Sequence, residues 1–428
     1  MLFCLIKWVV SGSDTDARMS NTKQILSETE LIEYWENFTS LKNEDGGDIS
    51  ESYYERDPFF VPEDDFVDDM NLVESSGEPM ETIEQEIHPT ISSLTFVEGL
   101  FERIVRETNL FSVQKKPERP TVFTEIDIIQ YIGIIKYMSL FIMPNTRSFW
   151  SNDLRFSNIA DVMSVNKFGN IRQYIHFNNN QTFIPRDHPG HDRLHKIRPL
   201  VDNLNKKCSS IALKQHLNID EQMCSTIARH YMKQYMPMKP HKWGFKFFVL
   251  AGVSGFAYKF EICQEKFDNL KNDERNLGVT SNIVLRLARI ILRMKNYRLY
   301  HDNYYTALPL MVYLAKQGIF SLSTIRRNRL PNCQLLTELL LKKASRSISH
   351  EYVATVDGVD ISSLIWKDNK YVTFISSFAG KNPVSKVRRF DHNEKKNIDV
   401  DCPYIITEYN RHIGRVDLLD SLMGIIPQ

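Results

Sequence analysis

The sequence is poor in cysteine, and its cysteines are far apart. None of the six belongs to a C-x-x-C pair or to a Cys/His cluster; they are Cys4, Cys208, Cys224, Cys263, Cys333 and Cys402. This argues against a zinc finger and against a disulfide scaffold, because both need closely and regularly spaced cysteines. Scattered thiols predict reduced cysteines in an intracellular protein.

The sequence also lacks a stretch that predicts a membrane span. Its first ten residues, MLFCLIKWVV, are too short to cross a bilayer and lack the layout of a signal peptide. We interpret 1–18 as an upstream extension, with Met19 as a candidate start. Residues 124–143 are apolar on nearly all sides but contain Asp127 and Lys136. They predict a buried helix with Thr124 as its N-cap, so we expect no membrane partner.

Net charge is absent too, since 53 basic residues balance 53 acidic ones, but the charges are segregated. Residues 1–90 hold 22 acidic and 5 basic residues, whereas residues 91–428 hold 31 acidic and 48 basic ones. The basic body indicates a polyanionic partner, nucleic acid first, or else an ordinary solvated surface. The acidic segment predicts disorder; it either competes with that partner or keeps the chain soluble.

What the sequence does contain is a change of pattern near residue 217. Residues 91–216 have helical spacing. Residues 217–327 follow the order β-β-β-α-β-α-β, which predicts a mixed α/β fold with an RNase H-like core. Residues 328–398 are basic and strand-like and predict an inserted β-containing subdomain. Residues 399–428 are expected to complete the core.

Three aspartates stand at the ends of these elements. HLNIDEQM is predicted to be a strand that ends at Asp220, NYRLYHD is a strand that ends at Asp302, and Asp417 opens a helix that carries Asp420 on the same face. Strands that end at one sheet edge bring their terminal side chains together, and oxygen-only clusters suit Mg²⁺ or Mn²⁺. Two such ions about 3.5–4 Å apart can clamp a phosphodiester. Alternatively, these are ordinary strand-end aspartates, and Asp-Asn is a common turn pair.

These stretches belong to a series of motifs that resembles one family. The series spans about residues 95–425 and includes IDEQM, YMPMKPHKWGFKFFVL, HDNYYTALPL, GIFSLSTIRRNR, WKDNKYVTFISS and VDLLD. Together they are similar to the piggyBac transposases and their domesticated relatives. The resemblance implies an RNase H-like core whose aspartate triad binds two Mg²⁺ ions, hydrolytic DNA cleavage, hairpin closure and joining at TTAA sites. The triad falls on Asp220, Asp302 and Asp417, with Asp420 as a further acidic position near the metals.

The resemblance also implies partners for the two flanking segments. Residues 91–216 would bind double-stranded DNA and form a homodimer, and residues 328–398 would be the insertion domain. No small-molecule substrate is expected. The short basic runs LLKKASR and KVRR suit import into the nucleus, where such a protein would act.

Basic and aromatic residues near the first two aspartates are the candidate DNA contacts, through phosphate pairing and base stacking. They are Arg229, Lys239, Lys242, Trp243, Lys246, Arg326, Arg327 and Arg329. The alternative interpretation places Trp243 in the core and the cations on a solvated surface.

Departures from the family leave the activity open. The family's Phe-Lys-Gly-Arg run after IDEQM is replaced by Thr226-Ile227-Ala228-Arg229, and Arg415 stands where glycine is usual. The chain stops at Gln428 without the family's Cys-rich zinc domain, so we expect a C-terminally truncated core. One hypothesis is an active strand-transfer enzyme. The alternatives are a domesticated or decaying non-catalytic DNA-binding protein, and a protein-interaction role led by the acidic segment.

Overall fold

The computed structural model describes residues 99–424, except 139, 142, 227–228, 238, 240–241, 265–269, 272–273 and 392–394. The predictions for the acidic segment 1–90 and for the extension 1–18 therefore lie outside the described residues, as do Ile227 and Ala228.

The first part of the described chain is helical, as predicted. Its α-helices are α1 (Leu100–Lys115), α2 (Glu125–Met138), α3 (Ser157–Ala160), α4 (Val165–Tyr174) and α5 (Arg198–Ser209). Short 3-10 helices lie at Thr146–Trp150 and Asn180–Thr182.

Helix α2 confirms the prediction of a buried helix after Thr124. The Asp127 amide donates to Thr124 Oγ1 and the Thr124 amide donates to Asp127 Oδ2, so two groups at the helix start are satisfied reciprocally. Ile128 and Tyr131 are fully buried among the other helices. None of the helices in the described ranges has the length and apolar content to cross a bilayer.

The core is a mixed sheet. It contains β1 (His216–Ser225), the two-residue β2 (Gln234–Tyr235), β3 (Trp243–Gly252), β4 (Ala257–Ile262), β5 (Tyr297–His301) and β6 (Ile319–Thr324). Strand β1 is central: it pairs antiparallel with β3 and parallel with β5, while β4 pairs with β3 and β6 with β5. Helices α6 (Val279–Leu287) and α7 (Leu308–Lys316) connect the last three of these strands. Apart from the short β2, this is the predicted order of elements.

Strand β3 shows why this part of the sequence is apolar without interruption. Phe247 and Val249 face one cluster, which includes the N-terminal helices, whereas Phe248 and Leu250 face another, which includes α6 and α7. Because side chains alternate along a strand, a strand covered on both faces needs apolar residues at every position. The N-terminal helices are thus packed directly onto the sheet that carries the candidate site.

The segment predicted as an inserted subdomain contains strands, but three of them extend the central sheet. They are β7 (Ser349–Val356), β8 (Val359–Lys367) and β9 (Tyr371–Ser376), in the order β6-β9-β8-β7. Helix α8 (Glu338–Lys343) precedes them, and β10 (Val384–Asp391) and β11 (Lys396–Pro403) form a separate pair. Helices α9 (Tyr404–Ile413) and α10 (Arg415–Gly424) follow.

Candidate active site

The register of the sheet places Asp220 and Asp302 side by side. In the parallel pair of β1 and β5, Ile219 lies opposite His301, so the two aspartates are the next residues along neighbouring chains. The prediction that Asp220 ends its strand is wrong, because β1 continues to Ser225 through its pairing with β3. Strand β5 does stop at His301. Asp220 therefore lies where its parallel neighbour ends.

The loop after β5 holds Asp302 in one conformation. The Tyr304 amide donates to Asp302 Oδ1 at 2.9 Å, and the Thr306 hydroxyl donates to the Asp302 carbonyl at 2.6 Å. Arg329 braces the same loop, since its Nη1 donates to the carbonyls of Asn303 at 2.7 Å and Thr306 at 2.8 Å. A carboxylate fixed in this way is well suited to a precisely positioned site.

Helix α10 brings two further carboxylates to the same place. Gln222 follows Asp220 by two residues in β1, and its Nε2 donates to Asp420 Oδ1 at 2.7 Å. Asp417, one turn earlier, accepts a hydrogen bond from Lys239 Nζ at 2.9 Å. Sequence analysis missed Gln222, although the two-residue period of a strand could have placed it on the face of Asp220.

The electrostatics of the site show that its acidic groups act on one another. Burial raises the pKa of Asp220 well above its usual value; the charges of Asp417 and Asp302 raise it further, while Lys239 opposes them. Burial, with a smaller contribution from Asp417, raises the pKa of Asp420 to about 6 against the opposing effect of Lys239. Repulsion of this kind is relieved by a cation, either an ammonium or a metal ion.

Among the described residues, Lys239 is a cation that lies at the carboxylates. Burial lowers the pKa of its ammonium, but Asp220, Asp417 and Asp420 outweigh that effect and raise it. Lys239, predicted to contact DNA, thus lies inside the acidic site. Carboxylate oxygens are the type of ligand that a hard divalent ion such as Mg²⁺ or Mn²⁺ prefers, and Asp220, Asp302, Asp417 and Asp420 are the residues that would hold it.

Ligand spacing gives a different group. Within the described part of the chain, the group of His, Cys, Asp or Glu side chains whose ligand atoms all lie within 4.8 Å is His216, Glu408 and His412, not the aspartates. Glu408 Oε1 is already engaged, because it accepts from the Tyr300 hydroxyl at 2.7 Å and from Arg298 Nη1 at 3.3 Å. We interpret this group as a hydrogen-bonded network that ties α9 to β1 and β5.

This network predicts a loss of stability in mild acid. Burial, aided by the neighbouring His216, lowers the pKa of His412 from 6.5 to about 4. The folded state thus favours the neutral ring, and the resulting stability, complete above pH 6.5, is lost as the pH falls towards about 4. Urea unfolding gives the free energy of unfolding at pH 7 and at pH 4.5. Between these two pH values, we expect the wild type to lose about 2 kcal/mol more of that free energy than His412→Gln does. Equal losses in the two proteins would contradict this role of the ring.

The surface where β1 ends and β3 begins carries several of the predicted DNA contacts. Trp243 is 54% exposed, packs against Tyr235 with ring centroids 4.8 Å apart, and has Lys233 Nζ 5.5 Å from its ring. Arg229 and Lys242 are also exposed. Trp243 therefore lies outside the core, in a setting that suits base stacking.

Lys246 does not lie on that surface. It is only 9% exposed, its Nζ lies 3.0 Å from Glu221 Oε1, and it stands over the rings of Phe248 and Tyr304. The strand alternation of β3 turns it inward, so its charge is used in an ion pair. This corrects the expectation that it meets phosphate in this conformation.

The three arginines after β6 also differ in whether they are exposed or are used in contacts within the protein. Arg326 is exposed and its Nε donates to Asn303 Oδ1 at 3.2 Å. The Arg327 guanidinium donates to the carbonyls of Leu335 and Leu336, and Arg329 braces the Asp302 loop. Arg327 and Arg329 thus hold backbone carbonyls, which sequence analysis did not anticipate.

A mixed sheet in the order β4-β3-β1-β5-β6, with carboxylates where β5 ends, is an RNase H-like fold of the kind that DDE transposases have. The family model described as Transposase IS4 matches residues 93–425. PiggyBac transposable element-derived protein 3 of Homo sapiens is 28% identical over 336 residues, which cover 77% of this chain and 55% of that protein. PiggyBac transposable element-derived protein 2 of Homo sapiens is 27% identical over 343 residues, which cover 79% of this chain and 56% of that protein. The chain therefore belongs to the piggyBac transposase family.

The fold is similar to that of a solved relative. The cryo-EM structure of a piggyBac transposase synaptic complex with hairpin DNA aligns with a TM-score of 0.59 at 20% identity, covering 78% of this chain and 67% of that one. At this identity the likeness concerns the fold. The chain spans about half the length of the curated relatives it matches.

Proposed function

We propose that this chain binds transposon-type DNA and cleaves it with the help of divalent metal ions held by Asp220, Asp302, Asp417 and Asp420. The observation that carries the proposal is the register of β1 and β5, which places two aspartates side by side within reach of α10. Bound there, two ions would activate the attacking oxygen and stabilise the leaving oxygen of a phosphodiester.

The remaining residues of the proposed site would either contact DNA or hold the carboxylates in position. Trp243 and Tyr235 offer exposed aromatic faces, and Arg229, Lys242 and Arg326 offer charges for phosphate contact. The Tyr304 amide and Arg329 hold the Asp302 loop, and Gln222 orients Asp420. TTAA target preference, a homodimer formed through the helical region and action in the nucleus are part of the same proposal, which family membership supports.

A second candidate is a DNA-binding protein without turnover. Lys239 lies 2.9 Å from Asp417 and opposes the repulsion at the acidic cluster, which is a role that a metal ion would otherwise have. The two curated relatives described above are named as element-derived proteins. This second candidate binds DNA through the same surface as the first but does not cleave it.

Titration of the protein with Mn²⁺ and a DNA cleavage assay separate the two candidates. We expect wild-type protein to bind Mn²⁺ in calorimetry and to cut a duplex that ends in a TTAA-flanked transposon terminus. Asp302→Asn removes one charge while keeping the shape of the side chain, and it should abolish cutting and weaken Mn²⁺ binding. DNA binding without cutting in the wild type would favour the second candidate, and equal Mn²⁺ affinity in both proteins would refute the metal assignment.

A further inference from the structure

A basic cleft lies at the same sheet edge, one strand beyond Asp302. It encloses about 580 Å³ between the ends of β6 and β8, the start of β9 and helix α8. Its charged lining residues are all cations: Arg326, Arg327, Lys342, Lys367 and Lys370. The lining residues in the described part of the chain include no carboxylate.

Two of the cations in the cleft, Lys367 and Arg327, are held by neutral backbone carbonyls. Lys367 Nζ donates to the carbonyls of Leu341 at 2.7 Å and Ala344 at 2.6 Å, and Arg327 Nη2 donates to the carbonyl of Leu335 at 2.6 Å. These bonds satisfy the donors and fix the side chains, but they cancel no charge. A concave surface lined by one sign of charge concentrates its potential and attracts an anion.

The cleft is continuous with the carboxylate site. In the parallel pair of β5 and β6, His301 lies opposite Ser323, so Asp302 is level with Thr324, which lines the cleft. Asn303, the residue after Asp302, also lines it and accepts a hydrogen bond from Arg326 Nε at 3.2 Å. An anion in the cleft would therefore lie next to the site of chemistry.

We propose that the basic cleft binds an unpaired DNA segment of one or two nucleotides beside the carboxylates, through its phosphates. The inference rests on the proposed function, because it takes DNA as the ligand. The cleft lies within the range of about 300–1,000 Å³ that is typical of small-ligand sites, a size that suits nucleotides rather than a duplex. Tyr371 supplies an aromatic ring in the lining, and the amides of Asn303 and Asn369 supply groups for base edges.

The test compares a blunt duplex with the same duplex carrying a short unpaired 3′ end. Binding is measured by fluorescence anisotropy in EDTA, over a series of salt concentrations. The cleft variant is Lys342→Glu/Lys370→Glu, both at exposed positions. The matched control is Lys214→Glu/Lys295→Glu, which makes the same charge change at exposed positions near the opposite ends of β1 and β5.

We expect the wild type to prefer the unpaired end by about tenfold, and the cleft variant to lose that preference while the control keeps it. For the ligand with the unpaired end, the salt slope should fall by about 0.7 per lost phosphate contact in the cleft variant. No preference in the wild type, or equal losses in the cleft variant and the control, overturns the proposal. Because no metal is present, the result is independent of cleavage: a protein that fails to cut DNA can still show the preference, and a cutting enzyme can lack it.

Discussion

Lys239→Met is expected to destabilise the metal-free protein and to make its stability depend on divalent ions. In the wild type, the Lys239 ammonium contacts Asp417 at 2.9 Å and opposes the repulsion among Asp220, Asp417 and Asp420. Without it, the carboxylates lose a positive charge that opposes their mutual repulsion. Breaking a fully buried pair typically costs about 3–5 kcal/mol. Because Asp417 is 37% exposed at its side chain, we expect about 2–3 kcal/mol here.

Stabilisation of Lys239→Met by divalent ions is the result that tests the role of Lys239 at this site. Thermal unfolding would be followed with EDTA, Mg²⁺ or Mn²⁺, for wild type, Lys239→Met and the control Lys242→Met, which changes an exposed lysine three residues away. Mg²⁺ or Mn²⁺ should raise the midpoint of Lys239→Met more than that of the wild type, because the ion no longer competes with an ammonium. Lys242→Met should behave as the wild type does. If Lys239→Met were as stable as the control in EDTA, the ammonium would not be the cation of this site.

The position of Lys239 also shows where prediction from sequence reaches its limit. Asp302 could be placed correctly, because its strand is short and ends where the apolar run ends. Lys239 lies 19 residues after Asp220, in a connection that folds back because β2 pairs with the start of β3. That return is a long-range pairing with no local pattern of its own, so the lysine was assigned to DNA.

The same reason accounts for the other differences. The length of β1 depends on β3, whose residues 244–252 pair with it, and the apolar pattern of β1 alone does not reveal that partner. The strands after residue 348 were recognised as strands, but the edge they join is chosen by the pairing of β9 with β6. The helices and strands could thus be predicted from periodicity and strand ends. The pairing of strands across the sheet and the position of Lys239 at the acidic site could not.

Lys246→Met is expected to lower the free energy of unfolding by about 3–5 kcal/mol, because it leaves the buried Glu221 without its partner. Both side chains are about nine-tenths buried, and their charged atoms are 3.0 Å apart. The double variant Glu221→Gln/Lys246→Met removes both charges, so it should be clearly more stable than the single variant. Urea unfolding of wild type, both single variants and the double variant measures the coupling between the two residues.

The outcome decides between two roles for Lys246. A lysine that serves DNA would, when replaced by methionine, weaken DNA binding and its salt dependence while leaving stability nearly unchanged. If Lys246 instead neutralises Glu221, its replacement by methionine would lower stability and leave DNA binding by the folded protein nearly unchanged. Because Glu221 follows Asp220 directly in β1 and its charge raises the pKa of Asp220, an unpaired Glu221 would add to the repulsion at the acidic site. We therefore expect Mn²⁺ to stabilise Lys246→Met by more than it stabilises the double variant.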